Sequence, residues 1–149
     1  MSKPEGFSTL TTAIITENAQ SLIDSYEKAL GAELGCAMNC PLSGKIAHAS
    51  LKIGESSLFI SDANPDMGMN STGRNQFYVY VDDVAASYKR AEDAGFSGQE
   101  APEDTFWGDR VGTLTDSIGN TCKLAQHVKD VTPEEMEAAM KEMAAACYV

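Results

Sequence analysis

The order strand, helix, strand, strand occurs twice in this chain of 149 residues. The first copy begins at the strand-like run TTAIIT (residues 11–16), and the second begins at QFYVYV (residues 76–81). In each copy the last two strand-like runs meet at a turn glycine, and these glycines, Gly54 and Gly119, are 65 residues apart. Such an internal repeat predicts an α+β fold of two similar modules.

Local signals indicate where the helix of each module begins and ends. Asn18 is a typical N-cap residue, and the apolar residues that follow it have helical spacing. Asp83, with Asp82 before it, marks the same point in the second module. Gly31 and Gly95, 64 residues apart, fit the left-handed position that ends a helix. The helices therefore repeat with the strands.

A third helix is predicted after the second module. The segment Thr132-Pro133-Glu134-Glu135 combines a capping box with proline at the first helical position. Met136, Met140, Met143 and Cys147 would form one apolar stripe, which packs on the domain or on a second subunit. We therefore treat residues 1–149 as one domain with four parts: a first module (8–61), a linker (62–75), a second module (76–127) and a C-terminal helix (132–146).

Composition excludes several classes of function. The chain has 11 Lys and Arg against 22 Asp and Glu, a net charge of −11, so we expect no nucleic-acid partner. It has no apolar run close to the roughly 20 residues of a membrane span, and it starts with the polar sequence MSKPEG, so we expect a cytoplasmic protein that binds no membrane. Cys36 and Cys40 miss the CxxC spacing by one residue, which indicates reduced, structurally incidental thiols.

Several phrases, in order, resemble the vicinal oxygen chelate superfamily, which includes glyoxalase I, bleomycin-resistance proteins and extradiol dioxygenases. They include LIDSYEKALGAELG, KIAHASLKIGESSLFISD, FYVYVDDVAASYKRAEDAG and DTFWGDRVGTLTDSIGNTCKLAQH, and the resemblance covers about residues 8–130. It is nearest to the PhnB-like branch. The resemblance implies two tandem βαβββ modules that curl a mixed sheet around a cavity, usually in a homodimer. It does not imply one chemistry, because this fold supports many functions.

Metal-using members of the superfamily place one ligand on each of four strands. Carried over by position, these sites fall at Thr11, about Leu58, Gln76 and Lys123. The repeat of 65 residues relates 11 to 76 and 58 to 123. None of the four is a His, Asp or Glu, and the ammonium of Lys123 would repel a cation. We therefore expect no metal and no other cofactor.

Strand alternation predicts which side chains face the cavity. For His48, a general base or a ligand hydrogen bond is weighed against a structural histidine, and for His127 the structural role is favoured. Lys123 either binds a ligand anion, acts as a base, or pairs with a nearby carboxylate. The predicted cavity residues are Thr11, His48, Ser50, Gln76, Tyr78, Tyr80, Trp107 and Lys123.

Trp107, the single tryptophan, precedes the seventh strand within a charged turn. It is either a packing anchor or the edge of the cavity, and we favour the edge. Arg110 next to it would pair with Asp109 or Asp116. Tyr78 and Tyr80 offer flat apolar surface and hydroxyls for an aromatic or sugar-like ligand, although aromatic strand residues also serve packing alone.

Three functions follow from these features. The first is a metal-free homodimer that binds a small organic molecule in its cavity, as drug-sequestering proteins do. The second is a lyase- or isomerase-type enzyme of the same superfamily that uses His48 or Lys123, with or without a divalent metal. The third is an interaction module that uses the methionine-rich tail. No catalytic residue is assigned.

Overall fold

A computed structural model describes the backbone of residues 3–147 and the side chains of residues 3–145. It contains eight strands and three helices in this part of the chain. In chain order they are β1 (Thr12–Thr16), α1 (Ala19–Leu30), β2 (Glu33–Asn39), β3 (Ile46–Ile53), β4 (Ser56–Asp62), β5 (Gln76–Tyr80), α2 (Val84–Asp93), β6 (Ser97–Asp104), β7 (Asp109–Thr115), β8 (Thr121–His127) and α3 (Pro133–Cys147).

The strands form two four-stranded mixed sheets with the same topology. The first sheet has the order β1-β4-β3-β2, and the second has the order β5-β8-β7-β6. In each sheet the first strand pairs in parallel with the last one in sequence, and the remaining pairs are antiparallel. The predicted tandem βαβββ modules are therefore confirmed. The two sheets are separate and do not close around a common cavity.

The helix ends lie where the capping residues predict them. The side chain of Asn18 accepts a hydrogen bond from the backbone N–H of Ser21 (3.1 Å), and Asp83 accepts one from Ala86 (3.1 Å). Each bond satisfies one of the N–H groups that have no partner inside the helix. Gly31 ends α1 with φ = 66°, a left-handed conformation that glycine adopts at no steric cost.

One hydrophobic core joins both modules. The buried face of α1 contributes Leu22, Ile23 and Tyr26, and the second sheet contributes Leu114 and Leu124 to the same cluster. The Tyr26 hydroxyl, although it belongs to the first module, donates a hydrogen bond of 2.6 Å to Asp116 between β7 and β8. Burial raises the pKa of Tyr26, and the nearby Cys122 and Asp116 raise it further. The modules are therefore packed together through their helices.

The edge strands β2 and β6 have no apolar alternation in the sequence. All seven residues of β2 are exposed, and seven of the eight residues of β6 are exposed. Strand signals rest on alternate burial, so a strand exposed on both faces gives no such pattern. The residue pattern indicated only two strands after each helix, whereas the family resemblance implied three.

Helix α3 begins as its capping box predicts, with the Thr132 hydroxyl accepting a hydrogen bond from the Glu135 N–H (3.2 Å). Within the described chain it has no substantial contact with the sheets or the other helices, and Met140 and Met143 are exposed. Cys147, predicted as part of the same stripe, lies outside the described side chains. No helix of the described residues is long and apolar enough to cross a membrane. The cytoplasmic location stays a prediction.

Candidate functional site

Each sheet has one face packed on the helices and one opposite face, which we call its open face. In β5, Phe77 and Val79 pack against the core, whereas Tyr78 and Tyr80 are exposed, as the alternation predicts. Strand register extends this open face across β8 and β7. The open face of the second sheet comprises Gln76, Tyr78, Tyr80, Val111, Thr113, Asp109, Thr121, Lys123, Ala125 and His127.

The centre of this face is a hydrogen-bond cluster around Asp109, which is 1% exposed. Its carboxylate accepts hydrogen bonds from the hydroxyls of Tyr78 (2.6 Å) and Tyr80 (3.0 Å) at Oδ2. Oδ1 lies 2.9 Å from Nδ1 of His127, which is the cross-strand partner of Asp109 in the β7–β8 ladder. The carboxylate therefore fixes the orientation of two tyrosine rings that project from the neighbouring strand. We call these four residues the Asp109 cluster.

Charge and burial perturb the ionisation of this cluster. Burial alone would raise the pKa of Asp109, but the hydrogen bonds from Tyr78, His127 and Tyr80 outweigh it and hold that pKa below its ordinary value. Burial, followed by the hydrogen bond to Asp109, raises the pKa of Tyr78 to about 12. Both tyrosines therefore stay protonated at neutral pH and donate to an ionised carboxylate.

His127 connects the cluster to the segment before α3. Its second ring nitrogen, Nε2, lies 2.7 Å from the carboxylate of Asp130. The hydrogen bonds to Asp130 and then to Asp109 raise the pKa of His127. An imidazole that lies between two carboxylates is favoured in its protonated form, in which both nitrogens donate. The structural role favoured for His127 from the sequence agrees with this geometry.

Trp107 extends the aromatic surface beyond the sheet. It lies in the turn between β6 and β7, and its indole N–H donates to the Tyr78 hydroxyl (3.0 Å). Trp107 is 38% exposed, Tyr78 is 40% exposed and Tyr80 is 64% exposed, so all three rings remain accessible. Arg110 does not pair with Asp109 or Asp116, as predicted, because its side chain pairs with Asp104 at 2.7 Å across the β6–β7 ladder.

The open face of the first sheet is partly filled by the chain itself. The ring of Phe59 packs against His48 (ring centroids 4.8 Å apart) and against Phe7 from the N-terminal segment (6.0 Å). Lys52 donates to the backbone carbonyl of Gly6 in the same segment. His48 and Ser50 are partly buried there, and Thr11 immediately precedes β1. The predicted site residues are therefore divided between two faces.

The position carried over to Leu58 is wrong. Leu58 is 5% exposed and packs in the core, so it cannot face a cavity. The register explains the error: Ile14 pairs with Ile60 and Val79 pairs with Leu124, so the last strands of the modules are related by 64 residues, not 65. Lys123 thus corresponds to Phe59, and the turn glycines Gly54 and Gly119 are not equivalent.

The corrected positions still do not fit a divalent metal. The open faces present Thr11, Phe59, Gln76 and Lys123 at these positions, and none offers a carboxylate or imidazole. Within residues 3–147, no group of three His, Cys, Asp or Glu side chains is placed to hold a metal ion. Hard divalent cations require oxygen or nitrogen ligands that an apolar ring and an ammonium do not supply.

A groove of about 710 Å³ lies beside this site, along the free edge of β5 and between the two modules. Gln76, Tyr78 and Tyr80 form one side of it, and the β3–β4 hairpin, α1 and α2 form the rest. The two tyrosines therefore have one edge in the groove and lie on the open face of the second sheet. This volume is sufficient for a small organic molecule.

The match to known proteins follows the same boundaries. The family model of the Glyoxalase/Bleomycin resistance protein/Dioxygenase superfamily matches residues 9–124. The chain belongs to this superfamily. It is 35% identical over 140 residues to an uncharacterised protein of Mycobacterium bovis, a match that covers 88% of this chain and 91% of that protein. An uncharacterised protein of Mycobacterium tuberculosis also matches at 35% identity, over 88% of this chain and 81% of its own length.

Solved structures of the superfamily have the same fold. TioX from Micromonospora sp. ML1 superposes with a TM-score of 0.65 at 22% identity, over 81% of this chain and 99% of TioX. Glyoxalase I from Zea mays superposes with a TM-score of 0.64 at 19% identity, over 83% of this chain and 45% of that enzyme. At these identities the likeness is one of fold, and it assigns no activity. The PhnB-like branch stays a prediction.

Sequence reasoning missed Asp109 and His127 as members of the site. The predicted seventh strand began at Arg110, one residue after its true start at Asp109. Pairing the two predicted strands across their turn would have placed Asp109 opposite His127. The signal was therefore present in the hairpin register.

Proposed function

We propose that this protein binds a small organic molecule, without a metal ion, on the open face of its second sheet. The observation that carries the proposal is the Asp109 cluster, since a buried carboxylate holds two partly exposed tyrosines in fixed positions. Preorganised side chains bind a ligand with less loss of conformational entropy than mobile ones. A cluster that served packing alone would have no need to keep its rings accessible.

The rings suit a flat ligand. The rings of Tyr78 and Tyr80 are 5.4 Å apart at an interplanar angle of 67°, and Trp107 lies against Tyr78 through its indole N–H. Together they form two adjacent walls of aromatic surface with hydroxyls at one end. Aromatic side chains contribute large contact areas, and edge-to-face contacts add to the stability of a bound ring.

We further propose that the site is completed in a homodimer. Both open faces are uncovered in the single chain, except where the N-terminal segment lies on the first sheet. A second copy could cover the exposed aromatic side chains and the exposed Met140 and Met143 of α3. Apolar side chains exposed together often mark interaction surfaces.

An enzyme that uses His48 or Lys123 for acid–base chemistry has less support. His48 packs edge-on against Phe59 on the first sheet, whereas Lys123 lies on the second sheet. Among the described residues, no hydrogen bond joins His48 to another side chain that could relay a proton. A structural role for His48 therefore accounts for its contacts.

The test is a ligand screen with planar aromatic compounds, monitored through Trp107. Since the chain has one Trp, its fluorescence and its indole N–H resonance both report on this site alone. Tyr80→Ala removes an exposed ring and should abolish saturable binding, whereas the control Leu42→Ala, on the exposed loop after β2, should leave it unchanged. If Tyr80→Ala binds as well as the wild type, the ligand does not contact the proposed walls.

A further inference from the structure

We propose that the molecule bound on the second sheet carries an acidic group in addition to its aromatic ring, and that the ammonium of Lys123 binds that group. This inference rests on the proposed function. It names the ligand class as an aromatic acid, in which a ring lies against the tyrosines while a carboxylate or similar anion reaches the lysine.

Lys123 lies in the middle of the open face. It is the cross-strand neighbour of Tyr78 on β5 and of Thr113 on β7. It is partly buried, so part of its side chain packs on the sheet and its ammonium ends beside the exposed rings. A ring held against Tyr78 would therefore bring its own substituents within reach of this ammonium.

The ammonium has no ionic partner in the described chain. The ion pairs found there involve Lys89, Arg110, His127 and Lys141, and none involves Lys123. Glu100, the neighbour of Thr113 on β6, lies two strands away, which corresponds to about 10 Å at the usual strand spacing. Lys123 is thus an unpaired cation in a chain whose net charge is −11.

The carboxylate of the same face is already satisfied. Asp109 accepts hydrogen bonds from Tyr78 and Tyr80 and contacts His127, so it is not free to bind a ligand cation. A cationic ligand would meet the ammonium of Lys123 without a compensating anion. An anionic ligand would instead form a charge-assisted hydrogen bond with a donor that lacks a protein partner. The charges of the face therefore favour an acid over an amine.

The experiment compares three probes that share one ring: 2-naphthoate, its uncharged amide 2-naphthamide, and 2-naphthylmethylammonium. Each is titrated into the full-length protein while the indole N–H resonance of Trp107 is followed. Hydrogen bonds to charged groups contribute about 1.5–3 kcal/mol. We therefore expect roughly tenfold tighter binding of the acid than of the amide, and the weakest binding for the ammonium compound.

Two variants separate the lysine from general electrostatics. Lys123→Met keeps the length of the stem and should make the acid and the amide bind equally. Lys89→Met removes the same charge from the exposed surface of α2 and should preserve the tenfold preference. Equal binding of acid and amide to the wild type, or a preference that survives Lys123→Met, would overturn the inference while leaving the proposed function intact. If none of the three probes shifts the resonance, the proposed function fails as well.

Discussion

Asp109→Asn keeps the size of the side chain at the centre of the cluster but removes its charge. The buried carboxylate contacts three hydrogen-bonding groups, those of Tyr78, Tyr80 and His127. An amide retains one acceptor oxygen and places a donor where the second oxygen was, so at least one of these contacts is lost. Since hydrogen bonds to a charged group contribute about 1.5–3 kcal/mol each and the partners are partly exposed, we expect a loss of about 2 kcal/mol in the free energy of unfolding.

The loss should depend on pH in a defined way. The pKa of Asp109 is lowered in the folded state, so its stabilising effect is present above the ordinary pKa of about 4 and is lost as the pH falls through the lower folded value. The pKa of His127 is raised, so its contribution is complete below about 6.5 and is lost as the pH rises through the folded value. The wild type should exceed the variant most between about pH 5 and 6.

Urea unfolding, followed by Trp107 fluorescence at pH 3, 5.5 and 9, measures this difference. The matched control is Asp104→Asn, which removes an exposed carboxylate paired with Arg110 and should change stability little. Equal unfolding midpoints for wild type and Asp109→Asn at pH 5.5 would refute the stabilising role of the Asp109 cluster. A difference that persists undiminished at pH 3 would refute its ionic origin.

Three further predictions follow from other contacts. Tyr78→Ala should weaken saturable quenching of Trp107 by planar aromatic compounds without unfolding the protein, because Tyr78 is 40% exposed; unchanged quenching in a titration would contradict the assigned wall. Tyr26→Phe should lower the free energy of unfolding by about 1.5 kcal/mol, because Asp116 loses a buried donor, and a urea midpoint equal to that of wild type would show that this bond adds nothing. Light scattering at micromolar concentration should give the mass of a homodimer, and a monomer would contradict that proposal.

The parts of the fold that the sequence predicts well are those fixed by local chemistry. Asn18 and Gly31 bound the first helix as expected, because capping depends on a few adjacent residues. Tandem modules followed from repeated landmarks. The edge strands β2 and β6 were missed because their residues face solvent on both sides and show no alternation.

The site was only partly predictable for a different reason. Tyr78 and Tyr80 were placed on the correct face because strand alternation is a local rule. Leu58 was misplaced because turn glycines were used to align modules whose hairpins differ: the β3–β4 strands are joined at Gly54 and Glu55, whereas residues 116–120 join β7 to β8. Side-chain partners of Asp109 depend on register across three strands, and a shift of one residue reverses which face each side chain occupies.

The most direct test of metal-free binding is one titration performed under two metal conditions. An aromatic compound that shifts the Trp107 indole resonance saturably would be titrated in the presence of EDTA and again with one equivalent of zinc. The account predicts the same dissociation constant in both, because Thr11, Phe59, Gln76 and Lys123 supply no set of metal ligands. Binding that appears only with zinc, and that is lost in His48→Ala, would contradict it.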